Sequence, residues 1–90
     1  MLTTTFHGAF MKDYRRVQKR GKDMSRLTEV IDLLTGGQPL QPRHKNHPLR
    51  GNYKDWWECH IEPDWLLVYR IDRSAGRIVF FRTGSHSDLF

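Results

Sequence analysis

The stretch from residue 60 to residue 65, His-Ile-Glu-Pro-Asp-Trp, decides how this chain folds. It joins two segments, about 53–61 and 65–72, in which residue types alternate as they do in β-strands. Glu-Pro-Asp is typical of a turn, because proline fixes its own φ and aspartate tolerates a tight bend. The pattern predicts a β-hairpin whose tip carries an imidazole, a carboxylate and an indole. A solvated turn without a function would have the same pattern.

Other segments complete the predicted fold. Residues 2–7 alternate as a strand, and residues 8–20 have the apolar stripe of an amphipathic helix. A second helix, capped by Asp23 or Ser25, is predicted to run to about Thr35. Residues 37–52, with three prolines, form a long loop, and residues 77–83 form the last strand. The expected fold is a single α+β domain over 1–90 of order β-α-α-β-β-β. Its four-stranded sheet would be mainly antiparallel, with the two-helix hairpin on one face.

Alternation also predicts which strand residues share a sheet face, if Ile61 pairs with Asp64 and Ile71 pairs with Ile78. The face under the helices would then carry Trp57, Cys59, Ile61, Leu66, Val68, Val79, Phe81 and Thr83. The open face would carry Trp56, Glu58, His60, Trp65, Leu67, Tyr69, Phe80 and Arg82. A slip of one residue in the pairing would invert this assignment.

The net charge of +5 is concentrated in two segments. Residues 1–22 carry six cations against Asp13, and residues 37–52 carry three cations and no acid. Such a distribution is typical of nucleic-acid binding, although an acidic protein partner or simple solubility would also account for it. The lone Cys59 excludes an intrachain disulfide, the apolar runs are too short for a membrane span, and the N-terminus lacks a secretory signal. We therefore expect a cytoplasmic protein.

Seven residues are candidates for a functional site, and they come from the loop, the hairpin, the last strand and the tail. They are His47, His60, Asp64, Trp65, Arg82, His86 and Phe90. Together they suit cleavage of RNA, in which a base takes the proton of a ribose 2′-OH and an acid protonates the leaving 5′-oxygen. Histidine suits both proton steps, Arg82 suits the phosphate, and the two aromatic residues suit stacking on bases.

A metal ion or other cofactor is not expected. His44 and His47 have the spacing of a metal-binding pair, but no cysteine or carboxylate follows at a matching spacing and the neighbouring residues are cations. Cleavage is accordingly predicted to be metal-independent.

Three spaced motifs together resemble the YafQ branch of the RelE-like bacterial toxins. They are His-Pro-Leu-x-Gly at 47–51, His-x-Glu-Pro-Asp-Trp-x-Leu-x-Tyr at 60–69 and Arg-Thr-Gly-x-His-x-x-Leu-Phe at 82–90. The resemblance covers essentially the whole chain. It implies the toxin of a type II toxin–antitoxin system, acting as a ribosome-dependent mRNA interferase that cleaves the A-site codon. The implied partners are the 70S ribosome with its mRNA and a DinJ/RelB-like antitoxin, with operator DNA bound only through the antitoxin complex.

The resemblance also implies roles for the matching residues. His86 would be the general acid, and Asp64 or His60 the base. His47 and Arg82 would hold the phosphate, while Trp65 and Phe90 would place bases. Two rival functions remain: a ParE-like gyrase inhibitor and a non-catalytic RNA-binding or ribosome-binding domain.

Overall fold

The computed structural model describes residues 1–53 and 55–90. The helices are α1 (Gly8–Lys19), α2 (Met24–Thr35) and α3 (His86–Leu89), and two 3-10 turns cover Pro42–His44 and Gly51–Tyr53. The strands are β1 (Thr3–Phe6), β2 (His47–Pro48), β3 (Trp57–Glu62), β4 (Trp65–Asp72) and β5 (Arg77–Gly84). They form one sheet of order β1-β5-β4-β3-β2.

The α+β class is confirmed, but the sheet differs from the predicted one. It has five strands and is mixed, because β1 runs parallel to β5 while the other pairs are antiparallel. The additional strand β2 is two residues long and ends in a proline at the sheet edge, so it has no alternation to detect. The strand predicted from residue 53 begins at Trp57, after a 3-10 turn, and the predicted residue 54 lies outside the described part of the chain.

Both long helices begin at side-chain caps. His7 accepts from the backbone N–H of Ala9 at the start of α1, and Asp23 accepts from the N–H of Ser25 at the start of α2. Asp23 is thus the cap of the two predicted alternatives. From these starts the apolar stripes of the helices pack on one sheet face. The core so formed includes Phe10, Val17, Leu27, Val30, Leu34, Cys59, Ile61, Leu67, Ile78 and Phe80.

The pairing of β3 with β4 corrects the predicted faces of the sheet. Glu62 pairs with Trp65 and His60 pairs with Leu66, with a register shift at Ile61 between them. The tip is therefore Pro63-Asp64 rather than Glu62-Pro63. This slip of one residue turns Trp65, Leu67 and Tyr69 toward the helices, where all three are buried, so their assignment to the open face is wrong. Leu66 and Val68 correspondingly move off the helix face.

A second irregularity lies between β4 and β5. Tyr69 pairs with Phe80, whereas Val68 pairs with Arg82, so Phe81 is an extra residue in β5. This bulge lets Phe80 and Thr83 both be buried, although they are three positions apart and strict alternation would place them on opposite faces. Alternation alone cannot indicate such a change of phase.

Trp65 belongs to the core. It is 1% exposed, and its indole N–H donates to Thr83 Oγ1 at 3.0 Å. Thr83 in turn donates its hydroxyl to the carbonyl of Leu66 at 2.7 Å. With both indole faces covered, the prediction that Trp65 stacks on an RNA base is corrected: this residue instead fixes the strand that follows the hairpin tip.

In the described part of the chain, no helix combines the length and the apolar character that crossing a bilayer requires.

Replacing Thr83 by valine keeps the shape of the side chain and removes its hydroxyl. The buried indole N–H of Trp65 then lacks its acceptor, which we expect to lower the free energy of unfolding by about 1–3 kcal/mol. Urea denaturation followed by tryptophan fluorescence measures the change. The exposed Thr5→Val variant on β1 is the control and should leave the midpoint unchanged; equal midpoints for both variants would contradict the assigned role of Thr83.

Candidate active site

His86 and Asp64 form the most direct contact between predicted site residues. Asp64 is part of the hairpin tip, and His86 begins α3, so their sequence separation is 22 residues. Oδ1 of Asp64 accepts from the backbone N–H of His86 at 2.9 Å and lies 2.5 Å from its Nδ1. These two bonds, the backbone bond first, hold the pKa of Asp64 below its ordinary value. The carboxylate thereby fixes the imidazole ring and leaves its Nε2 free.

His60 lies beside His86 and connects it to His47. The ring centroids of His60 and His86 are 5.8 Å apart, and those of His47 and His60 are 6.3 Å apart. Nδ1 of His60 lies 3.2 Å from the carbonyl oxygen of Pro63. Because a carbonyl can only accept, this nitrogen carries the proton in that bond. The other nitrogen, Nε2, then has a lone pair when the ring is neutral.

Glu58 completes the cluster, although the sequence did not single it out as a site residue. Its carboxylate is buried, and Oε1 lies 3.3 Å from Nε2 of His47 and 3.7 Å from Nε2 of His60. The strand pairing places Glu58 opposite His47, and Glu58 lies two residues before His60 on β3. Its negative charge can balance the proton that either ring accepts. Glu58 could have been found from the alternation of residues along the strand, which places Glu58 and His60 on the same face of β3.

Arg82 lies on the same sheet face as Glu58, since each of them pairs with Val68. Two strand spacings separate their backbones, about 10 Å. Nε and Nη2 of Arg82 donate to the buried carboxylate of Asp13 at 2.6 and 3.2 Å. Those bonds to Asp13 raise the pKa of Arg82 and hold its fork in place. Nη1 has no place in this pairing and remains a donor for an anion.

Phe90 offers the exposed aromatic surface that Trp65 lacks. It is 61% exposed and lies edge-on to Tyr53, with ring centroids 5.9 Å apart. The backbone N–H of Phe90 donates to the carbonyl of His86 at 2.9 Å, so its position follows from that of α3. Tyr53 is also half-exposed, and it joins Phe90 as a second residue on which a base can stack.

His44, which is not among the predicted site residues, has a structural role. It is buried, and its Nδ1 lies 2.7 Å from the carbonyl oxygen of His60, which accepts the bond. The 3-10 turn Pro42–His44 thus anchors the long loop to β3 just behind the catalytic candidates. This anchor brings the following residue pair His47–Pro48 to the sheet edge as β2.

His47, Glu58 and His60 also form a set of possible metal ligands. Their ligand atoms lie within 4.8 Å of one another, the one such set of three that the described residues contain. Two imidazoles and a carboxylate suit zinc or copper. The spacing of His44 and His47 does not indicate this set, because the carboxylate comes from Glu58, eleven positions after His47.

A cavity lies away from these residues. It has a volume of about 460 Å³ and is lined by the N-terminus, the end of α2 and the last part of β4. None of the seven predicted site residues lines it. The candidate site is therefore defined by the chemistry of the histidines and carboxylates and not by this cavity.

The small α+β fold thus carries a cluster of histidines and carboxylates, formed by β2, β3, the hairpin tip and the start of α3. These are the elements that hold the motifs by which the sequence resembles a class of bacterial toxins. Residues 2–90 match the family model of the bacterial toxin of type II toxin–antitoxin system, YafQ. This chain therefore belongs to the YafQ family of type II toxins.

Relatives extend the similarity across the chain. The mRNA interferase toxin YafQ of Escherichia coli K12 is 41% identical over 86 residues, covering 94% of this chain and 91% of the relative. A crystal structure of a metal-bound toxin from Helicobacter pylori has a TM-score of 0.94 at 44% identity, with both chains covered completely. The E. coli DinJ-YafQ complex has a TM-score of 0.90 at 37% identity, covering 100% of this chain and 99% of that one.

The Asp64 carboxyl should titrate below its ordinary pKa of 3.8. Asp64 therefore stays ionised, and its bonds to His86 persist, until the pH falls below that ordinary value. In the His86→Ala variant the backbone N–H at position 86 remains, so the pKa should rise only part of the way back. Carboxyl 13C NMR titration measures both values.

Asp72 is the internal control of this titration, because its low pKa depends on Ser74 and Ala75 and should not change. An Asp64 midpoint at or above 3.8 in the unmodified protein would show that the carboxylate is not held by residue 86.

Proposed function

We propose that this chain is a metal-independent, ribosome-dependent mRNA interferase that cleaves RNA by attack of a ribose 2′-OH. One observation carries the proposal: two neighbouring imidazoles, His60 and His86, each have a carboxylate behind them. An acid and a base so placed can contact opposite sides of one phosphodiester group. The related toxin of E. coli is named an mRNA interferase, which supports the same reaction here.

The partners follow from the same relationship. A solved complex pairs the E. coli toxin with DinJ, so we propose a DinJ/RelB-like antitoxin that holds this toxin inactive. Operator DNA would be bound only through that complex. The substrate would be mRNA in the ribosomal A site, in the cytoplasm. The basic outer surface of α1, with Lys12, Arg15 and Lys19, is suited to ribosomal RNA.

His86 acts as the general acid in this mechanism. Asp64 accepts from its Nδ1, which leaves Nε2–H of the protonated ring to protonate the departing 5′-oxygen. The exposed position of His86 at the start of α3 leaves this nitrogen accessible to RNA.

His60 is favoured over Asp64 as the base. Asp64 is committed to His86, and a carboxylate whose pKa is lowered accepts a proton less readily. His60 has its Nδ1 proton bound to Pro63, so Nε2 is available to accept the 2′-OH proton. The positive charge formed on the ring is then balanced by Glu58 at 3.7 Å. Glu58 is in this account a positioning and charge-balancing residue.

The remaining residues hold the substrate. Arg82 presents its free Nη1 to the phosphate, with its orientation set by Asp13. His47 adds an exposed imidazole at the sheet edge, with Nδ1 near the carbonyl of Pro48 and Nε2 near Glu58. Phe90 and Tyr53 provide surfaces for the flanking bases. Trp65 is not among the substrate contacts, because it is buried.

Metal independence follows from which atoms the reaction uses. The set of His47, Glu58 and His60 would hold zinc or copper through the same imidazole nitrogens that the proton transfer needs. Such an ion would supply a Lewis acid, yet it would also occupy the lone pair of the base. We therefore propose that metal binding and RNA cleavage exclude each other at this site.

Replacing either catalytic histidine by alanine should lower the single-turnover cleavage rate by about 10²–10⁴-fold, the usual contribution of one proton-transfer group. Primer extension on mRNA in translating ribosomes measures this rate. Products should carry a 2′,3′-cyclic or 3′-phosphate and a 5′-hydroxyl. Co-sedimentation with ribosomes should persist, which separates catalysis from binding.

The control for these two variants is His7→Asn, which removes an exposed histidine outside the site and retains a side chain able to cap α1. It should cleave at the normal rate. Fully active His60→Ala and His86→Ala variants, or products with a 5′-phosphate, would contradict the mechanism.

A chelator separates the two uses of the cluster. EDTA should leave the cleavage rate unchanged, whereas added Cu²⁺ should inhibit. The Glu58→Gln variant should bind copper more weakly, as read by calorimetry, and should tolerate a higher copper concentration. Loss of cleavage in EDTA with recovery on adding zinc or copper would reverse the assignment and make the ion part of the reaction.

A further inference from the structure

The position of His86 depends on a helix that cannot be stable by itself. α3 has four residues, His86–Leu89, and lies at the end of the chain. An isolated helix of this length does not form in water, because nucleation costs more than one turn of hydrogen bonds returns. Contacts outside the helix must therefore hold the ring of His86 against His60.

Some of the contacts that stabilise α3 are local and involve Asp88. Its Oδ2 accepts from the backbone N–H of Ser85 at 2.9 Å, and Ser85 Oγ accepts from the backbone N–H of Asp88 at 3.2 Å, a reciprocal capping box. Gly84 leaves room for this carboxylate. A Cβ at position 84 would lie 2.8 Å from Oδ2, and the φ of Gly84 is +154°.

The remaining stabilisation of α3 comes from Arg20 at the end of α1, 68 residues before Asp88 in the sequence. The guanidinium of Arg20 grips the Asp88 carboxylate with two bonds, Nη1 to Oδ2 at 2.5 Å and Nη2 to Oδ1 at 2.9 Å. Arg20 is the C-cap residue of α1, three residues after Val17, which is buried in the core. The backbone of Arg20 is therefore fixed relative to the core. This pair is the first cause that lowers the pKa of Asp88.

The geometry distinguishes this pair from an ordinary surface ion pair. The side chain of Asp88 is only 13% exposed, and its two oxygens meet a guanidinium in the bidentate arrangement that orients both groups. The opposite end of α3 is held by Asp64, whose side chain is 68% exposed. Without Arg20, the only ion pair that connects α3 to the earlier part of the described chain would be this solvated carboxylate with His86.

We propose that Arg20 and Asp88 are positioning residues that hold α3, and with it the ring of His86, in the arrangement needed for cleavage. The proposal rests on the function proposed above for His86. The pair contacts no reacting atom. Its loss should therefore lower the rate of the chemical step while leaving the affinity for the ribosome unchanged.

The test compares Arg20→Ala with Asp88→Asn, whose amide oxygen can still accept from the backbone N–H of Ser85, so that both bonds of the capping box can be retained. Each variant should lower the single-turnover rate by about 10- to 100-fold, because small misplacements of a catalytic group have effects of this size. The apparent KM for ribosomes should not change. The double variant should be no slower than the slower single variant, because both remove the same contact. Arg20→Lys keeps the charge and should recover part of the rate.

Arg26→Ala is the matched control. It also removes an exposed arginine from an ion pair, with Glu62 at 3.2 Å, while Lys22 still holds Glu62. Its cleavage rate should equal that of the unmodified protein.

A second readout does not depend on activity. The heteronuclear 15N NOE of the amides of residues 85–90 should fall in Arg20→Ala and Asp88→Asn and stay high in Arg26→Ala. Unchanged order in α3, or a change in KM alone, overturns the positioning role. If the unmodified protein cleaves no mRNA, the proposed function fails, and the NOE values still decide whether Arg20 holds α3.

Discussion

The buried carboxylate of Asp13 is the interaction on which the active end of this protein depends. It lies on α1 and accepts from Arg16, from two nitrogens of Arg82 and from the backbone N–H of Thr83. A buried charge is costly unless every lone pair is used, and here four donors converge on it. The contact ties α1 to the part of β5 beyond Phe80, where β1 no longer pairs. Everything that follows in the chain, from Thr83 to α3, starts from this fixed point.

Structural and chemical groups are separated by this arrangement. The indole of Trp65 is buried and donates to Thr83, and the ring of His44 bonds the backbone carbonyl of His60. The rings of Trp65 and His44 are therefore not free for substrate. The groups that remain accessible are the imidazoles of His47, His60 and His86, each accompanied by a carboxylate. Packing thus decides which of five histidines and three tryptophans remain accessible for chemistry.

The sequence predicted the helices and strands better than the register in which the strands pair. Helix periodicity and caps identified α1 and α2, and the Glu-Pro-Asp turn identified the hairpin, because these signals are local. The register slip at Ile61 and the bulge at Phe81 depend on how whole strands pack, so alternation placed Trp65, Leu67 and Tyr69 on the wrong face. For the candidate site, His47, His60, His86 and Asp64 were predicted from the sequence. Glu58, Asp13 and Arg20 were not, since their roles arise only when distant elements meet.

The assignment of His86 as acid and His60 as base is the central claim, and a modified substrate tests it most directly. The substrate is an mRNA in which sulfur replaces the leaving 5′-oxygen at the cleaved bond. The 5′-sulfur then leaves as a thiolate and needs no proton from a general acid. The account predicts that this substrate restores most of the rate lost in His86→Ala and none of that lost in His60→Ala. Equal rescue of both variants, or rescue of His60→Ala alone, would contradict it.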